Sequence, residues 1–136
     1  MQLELSSNKT IGSLQTEFST SFPGLKIVFF SKPHGEHKGS AAKFLIQDKN
    51  LTLGQLSPDI KSGSIQVFPE LVVWQLEKQF EEGFGLHVQV FRKSGRTWLE
   101  TSVTDDLTLA EQQAKVAASE SMHQEFVDPM DYREQD

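Results

Sequence analysis

Three features of the chain predict an α+β fold. One pattern of residues runs through it twice. Inside each copy the apolar spacing switches from period two to helical. A short turn-forming connection precedes the last strand of each copy. The expected architecture is two pseudo-symmetric β-α-β-β halves forming one largely antiparallel sheet of about six strands, with the helices on one face, plus a C-terminal helical tail.

The repeat is read most directly from EFSTSFPGLKIVFFSK (17–32) and QFEEGFGLHVQVFRK (79–93). Phe18 and Phe22 fall on Phe80 and Phe84. One residue at Pro23 has no counterpart, and then Gly24, Leu25, Ile27, Phe30 and Lys32 fall on Gly85, Leu86, Val88, Phe91 and Lys93. Upstream, Leu3, Leu5, Ile11 and Leu14 match Ile65, Val67, Val73 and Leu76, and downstream DKNLTLGQ (48–55) resembles TDDLTLAEQ (104–112). The order is kept throughout with small changes of offset, which favours duplication over chance.

Taken in order, Leu3 and Leu5 alternate with Gln2 and Glu4, the mark of a half-buried strand. Ile11, Leu14, Phe18 and Phe22 share one face of a helix, with Thr10 as its N-cap. Val73, Leu76, Phe80 and Phe84 repeat that face, and Pro69 suits the first turn of this second helix. Pro23-Gly24 ends the first helix and Gly83/Gly85 the second. Strands are expected over 25–30 and 86–91, then return strands over 41–47 and 96–103, the latter behind a hairpin with Gly95 at positive φ. Thr52 with Gln55 and Thr108 with Glu111 mark the starts of two further helices. The duplicated domain is read as 1–104, with halves of about 1–57 and 64–112, and 105–136 as an acidic C-terminal helix and tail.

The 136 residues suit one domain. With no cysteine, disulfides, thiol catalysis and Cys-ligated zinc are excluded. The net charge is −6, with the acidity concentrated after residue 104 and the body nearly neutral, a poor footprint for nucleic acid. MQLELSSNKT lacks the basic and apolar regions of a signal peptide, and no apolar run reaches membrane-spanning length. A cytoplasmic protein without a membrane partner is expected.

Three places could carry function. SKPHGEHKGS (31–40) sets His34, Glu36, His37 and Lys38 in one loop, with Lys32, Ser40 and Lys43 beside it. An H-x-E-H spacing is not the helical H-E-x-x-H of zinc proteases, so an anion contact suits the loop better than a metal, and a solvated turn better than either. The second place is the sheet face turned away from the helices, where alternation puts Phe30, Phe68, His87, Phe91, Trp98 and Glu100. The third is the tail, whose helix formers over 109–121 lead into MHQEFVDPMDYREQD. No nucleophile elbow, P-loop or dinucleotide-binding glycine pattern is present.

FPGLKIVFF, FGLHVQVFRKSGRTWLET and TDDLTLAEQQ together resemble a family of small uncharacterised bacterial proteins across nearly the whole chain; that resemblance implies no activity and no catalytic residues. The doubled strand–helix–strand–strand layout is similar to the GyrI-like ligand-binding domains, which implies a groove between halves. The first expectation is a non-enzymatic interaction module without cofactor or metal, which self-associates or binds a protein through the aromatic face. The alternative is a small-ligand binder with a groove between the halves.

Overall fold

The computed structural model describes residues 1–32 and 42–125, with side chains described as far as residue 119. The histidine loop, His34, Glu36, His37 and Lys38 included, lies outside the described residues, as do residues 126–136 of the tail.

Alternation at the N-terminus builds β1 (Gln2–Leu5), with Leu3 and Leu5 buried and Gln2 and Glu4 in solvent. Helix α1 (Ile11–Ser21) begins at Thr10, whose hydroxyl accepts the Ser13 N–H at 3.2 Å, and buries Ile11, Leu14 and Phe18. Gly24, at φ 88°, takes the left-handed turn that leads into β2 (Leu25–Phe30). The short helix α2 (Leu53–Leu56) carries the Thr52–Gln55 capping box, and β3 (Gly63–Gln66) follows. Helix α3 (Val73–Phe84) ends on Gly85 at φ 66°, and β4 (His87–Ser94) turns through Gly95, at φ 59°, into β5 (Thr97–Glu100). Helix α4 (Leu109–Glu125) starts with the Thr108–Glu111 box.

Two local expectations change. Helix α3 starts at Val73 behind an N-cap, Val72, that makes no side-chain capping bond, so Pro69 precedes the helix instead of opening it. A cap is worth about 1 kcal/mol, whereas burying a side chain such as Leu76 or Phe80 is worth about 2 kcal/mol. The apolar face therefore holds this helix without a cap. The return strand expected over 41–47 shrinks to one tight helical turn, Ala42–Phe44, and a single bridge from Leu45 to Phe30. Leu45 N–H closes that turn onto Ala42 O at 3.1 Å, and among the described residues the bonds across to β2 and the residue after it are Ser31 N–H to Phe44 O and Ile46 N–H to Phe29 O, both 2.9 Å.

The class is α+β, but the strands divide between two antiparallel sheets where one was expected: β1–β3, and β2–β4–β5. The first strands of the two halves pair with each other, in the register Leu3↔Ile65. So do the second strands, in the register Ile27↔Val90. The first and second strands thus find their counterparts while each return segment stays with its own half, and the helix between the first two strands carries the chain from one sheet to the other.

The two halves share a scaffold of backbone bonds. Ile11 N–H to Leu51 O (2.9 Å) recurs as Val73 N–H to Leu107 O (3.0 Å). Gly12 N–H to Lys49 O (3.0 Å) recurs as Trp74 N–H to Asp105 O (3.1 Å), and Leu53 N–H to Lys9 O (2.8 Å) as Leu109 N–H to Leu71 O (3.0 Å). The bridges Thr10↔Thr52 and Val72↔Thr108 match as well. The Phe30↔Leu45 bridge corresponds to the Phe91↔Glu100 pair of the hairpin.

One core joins the halves. Phe18, Phe29 and Phe80 are fully enclosed, and the Phe29 and Phe80 rings meet edge to face at 6.2 Å. Leu109 and Val116 belong to the same cluster, so the first half of α4 is docked on the body.

Candidate functional site

Cross-strand register places the aromatic residues of the outer face. Lys26, Phe91 and Glu100 form one row across β2, β4 and β5, and Trp98 lies opposite Lys93 in the next. The Lys26 ammonium sits 4.3 Å from the Trp98 ring centroid and 5.8 Å from that of Phe91, so both rings offer it a cation–π contact. Trp98 is 39% exposed.

The other three expected residues lie elsewhere. Phe30 and His87 are partners at the far end of the β2–β4 pair. Phe30 is buried, and the His87 Nδ1 faces Glu81 Oε1 at 3.2 Å. The two line a separate cavity of about 270 Å³ with Gln55 and Leu56. Phe68, 45% exposed, follows Val67, whose N–H bonds Met1 O, at the end of the two-stranded sheet. The structure thus gathers Phe91, Trp98 and Glu100 and separates them from Phe30, His87 and Phe68.

What gathers beside them is a groove of about 610 Å³ between α1, β2 and the segment 45–49, with Phe91 at its margin. That volume falls in the range of small-molecule sites. Two side chains of α1 build its wall. Gln15 donates from Nε2 to Ile27 O at 3.0 Å, and Ser19 donates from Oγ to Leu25 O at 3.0 Å. The helix is thereby fixed to carbonyls along β2. The same bond turns the Gln15 Oε1 inward, where it is buried with no hydrogen-bond partner among the described residues. Val28, Leu45 and Ile46 supply apolar surface, and Lys26 and Lys49 are the charged residues of the lining. Burial, and after it the neighbouring Lys49, holds the Lys26 ammonium below its ordinary pKa.

The matching place in the second half is occupied. Glu77 stands where Gln15 stands, Gln89 where Val28 stands and Thr101 where Ile46 stands. The Glu77 Oε2 accepts the Val90 N–H at 2.9 Å and the Gln89 Nε2 at 3.1 Å. The Thr101 Oγ1 donates to Val90 O at 2.9 Å. All three side chains are buried, and Arg92, Asp105 and Gln112 continue a buried polar layer around them. Arg92 Nη1 donates to Gln112 Oε1 at 3.0 Å, and burial lowers the guanidinium pKa from its usual value.

Gln15, Lys26 and Lys49 escaped the reading by pattern because each is polar and unexceptional in its own segment. The signal that would have found them is the repeat itself. Aligned copy on copy, they fall on Glu77, His87 and Asp105, a change of charge or of hydrogen-bonding character at every one. Among the described residues no three His, Asp or Glu side chains converge as a metal site would need, and no helix is long and apolar enough to cross a membrane. Compared with family models, curated proteins and solved structures, the chain finds no match.

Proposed function

We propose that the protein is a non-enzymatic binding module and that the groove beside α1 takes a small molecule. One observation carries this reading: two halves share a scaffold, yet the space between helix, strand and return segment holds Glu77, Gln89 and Thr101 in one and stays open in the other. We read the recurring backbone bonds as the trace of a unit doubled within the chain, after which one copy closed its space and the other kept it. A cytoplasmic address belongs to the proposal, supported by a chain without cysteine. A few charged side chains, Lys26 and Lys49, beside the apolar Val28, Leu45, Ile46 and Phe91 make the kind of lining expected of a specific small-ligand site.

The test is to close the first half with the residues of the second. The triple variant Gln15→Glu, Val28→Gln, Ile46→Thr is expected to fold and to lose every ligand response that the parent shows. The response is read as a thermal shift over a panel of small metabolites and as Trp98 fluorescence in a Trp74→Phe background. A parent that responds to nothing, or a triple variant that responds unchanged, defeats the reading.

A second reading rests on the exposed Trp98 beside Phe91, which suits self-association or a protein partner. It predicts a dimer in sedimentation that Trp98→Ser converts to monomer. A parent that is monomeric at all concentrations removes it.

A further inference from the structure

The groove and its filled counterpart can be compared charge by charge. In the second half, the positions matching the groove lining carry Glu77, Glu81, Glu82, Glu100 and Asp105, with Lys78, matching Thr16, the one lysine among them. In the first half the same positions carry Gln15, Ser19, Thr20, Leu45 and Lys49, and none of these is acidic. The matches rest on shared backbone bonds and on the helix register. Lys49 and Asp105 accept from Gly12 and Trp74 through equivalent carbonyls, and Leu45 and Glu100 are the equivalent partners of Phe30 and Phe91. One copy is acidic around this space, and the other is acid-free with two lysines.

We infer that the ligand of the groove is a small organic acid, with its carboxylate between Lys26 and Lys49 and its apolar body against Val28, Ile46 and Phe91. This rests on the binding reading above and names its ligand class. Two ammonium groups on one groove repel each other, and a carboxylate between them removes that repulsion while forming charge-assisted hydrogen bonds. The partly buried position of Lys26 strengthens the attraction relative to open water. A bare inorganic oxyanion is the poorer fit, because it leaves the apolar wall wet. Trp98 already stacks on the Lys26 ammonium, so its fluorescence reports on what meets that group.

The experiment is a titration of the full chain followed by amide and side-chain NMR shifts, with 4-hydroxybenzoate as probe. Its methyl ester keeps ring and hydroxyl but loses the charge, and inorganic phosphate keeps the charge but has no apolar body. The acid is expected to give saturable shifts at Ile46, Lys49 and the Gln15 side-chain amide. The ester and phosphate are expected to bind at least tenfold more weakly. Lys49→Asp installs the residue of the filled half, and Lys49→Gln removes the charge alone. Both are expected to weaken the acid at least tenfold with an unchanged fold, since the Lys49 side chain is exposed. Equal binding of acid and ester, or of acid to parent and both variants, overturns the acid assignment and leaves the groove standing as a neutral-ligand site. Phosphate that displaces the acid at equal concentration overturns the organic part of it. No shift around the groove with either the acid or the ester brings down the binding reading with it.

Discussion

At the helix position that faces the strand following each helix, the first half carries Gln15 and the second Glu77. Both reach the strand backbone: Gln15 donates to Ile27 O, and Glu77 accepts from Val90 N–H. The amide leaves one polar atom over, buried without a partner among the described residues. The carboxylate gathers the Gln89 side chain as well, and the space closes. A scaffold of backbone bonds can thus be kept in two copies while a few side chains decide whether the space it encloses is structural or available. A buried polar group is costly unless bonded, so a filled site must bring its partners with it, as the second half does.

The comparison can be broken by removing the two helix side chains. Glu77→Ala strips a buried N–H and a buried amide of their acceptor and is expected to cost about 3 kcal/mol. Gln15→Ala, on the margin of an open groove, is expected to cost about 1 kcal/mol. Urea unfolding of both variants measures the difference, and equal losses would mean that the two sites bear structure alike.

A smaller difference is expected at the helix-terminating glycines. Gly24 and Gly85 both sit at positive φ, where a side chain is strained. A Cβ on Gly24 would also lie 2.9 Å from Val116 Cγ1 of α4, whereas one on Gly85 meets the Ser57 Oγ at 3.0 Å. Gly24→Ala is expected to cost about 2–3 kcal/mol, strain plus displaced core. Gly85→Ala should cost about 1–2 kcal/mol, strain alone, because a serine hydroxyl can turn away. Thermal denaturation ranks them, and the reverse order would show that α4 yields where the Gly24 contact says it is packed.

The smallest stability effect belongs to Lys26. Its pKa is lowered in the folded protein, so between that lowered value and the ordinary 10.5 the unfolded chain binds the extra proton. Stability gained from this group therefore rises with pH through that alkaline window, and the penalty is fully present below it. Lys26→Met should change stability by no more than about 0.5 kcal/mol at neutral pH, the lost Trp98 contact offsetting the relieved desolvation. It should also flatten the alkaline rise. Denaturant midpoints across alkaline pH show whether it does; an undiminished rise would assign it to other groups.

Much of this was legible before any coordinates. Ile11, Leu14 and Phe18 announce α1 by spacing, and their matches announce α3. Thr52–Gln55 and Thr108–Glu111 close as written, and Gly95 turns its hairpin at positive φ. Aromatic alternation found Phe91, Trp98 and Glu100 on one face. It went further than the fold allows with Phe68, because alternation records which side of its own strand a residue occupies and not which sheet that strand joins. Phe30 shares that face by period, but it is buried at the far end of the β2–β4 pair, where it lines a separate cavity with Ile46 and Leu56.

What the amino-acid order settled on its own is therefore local and repeated: most of the element types, the caps of α1, α2 and α4, and the turns at Gly24, Gly85 and Gly95. These depend on neighbours within a turn or on period-two and helical spacing, which a one-dimensional string displays. Tertiary structure alone decided that the strands split between two sheets and that one half closes its space while the other leaves it open. Those outcomes depend on side chains such as Glu77, Gln89 and Thr101, which come from separate segments, and on whether each buried polar atom finds a partner across the gap. Complementarity of that kind exists only between surfaces already brought together.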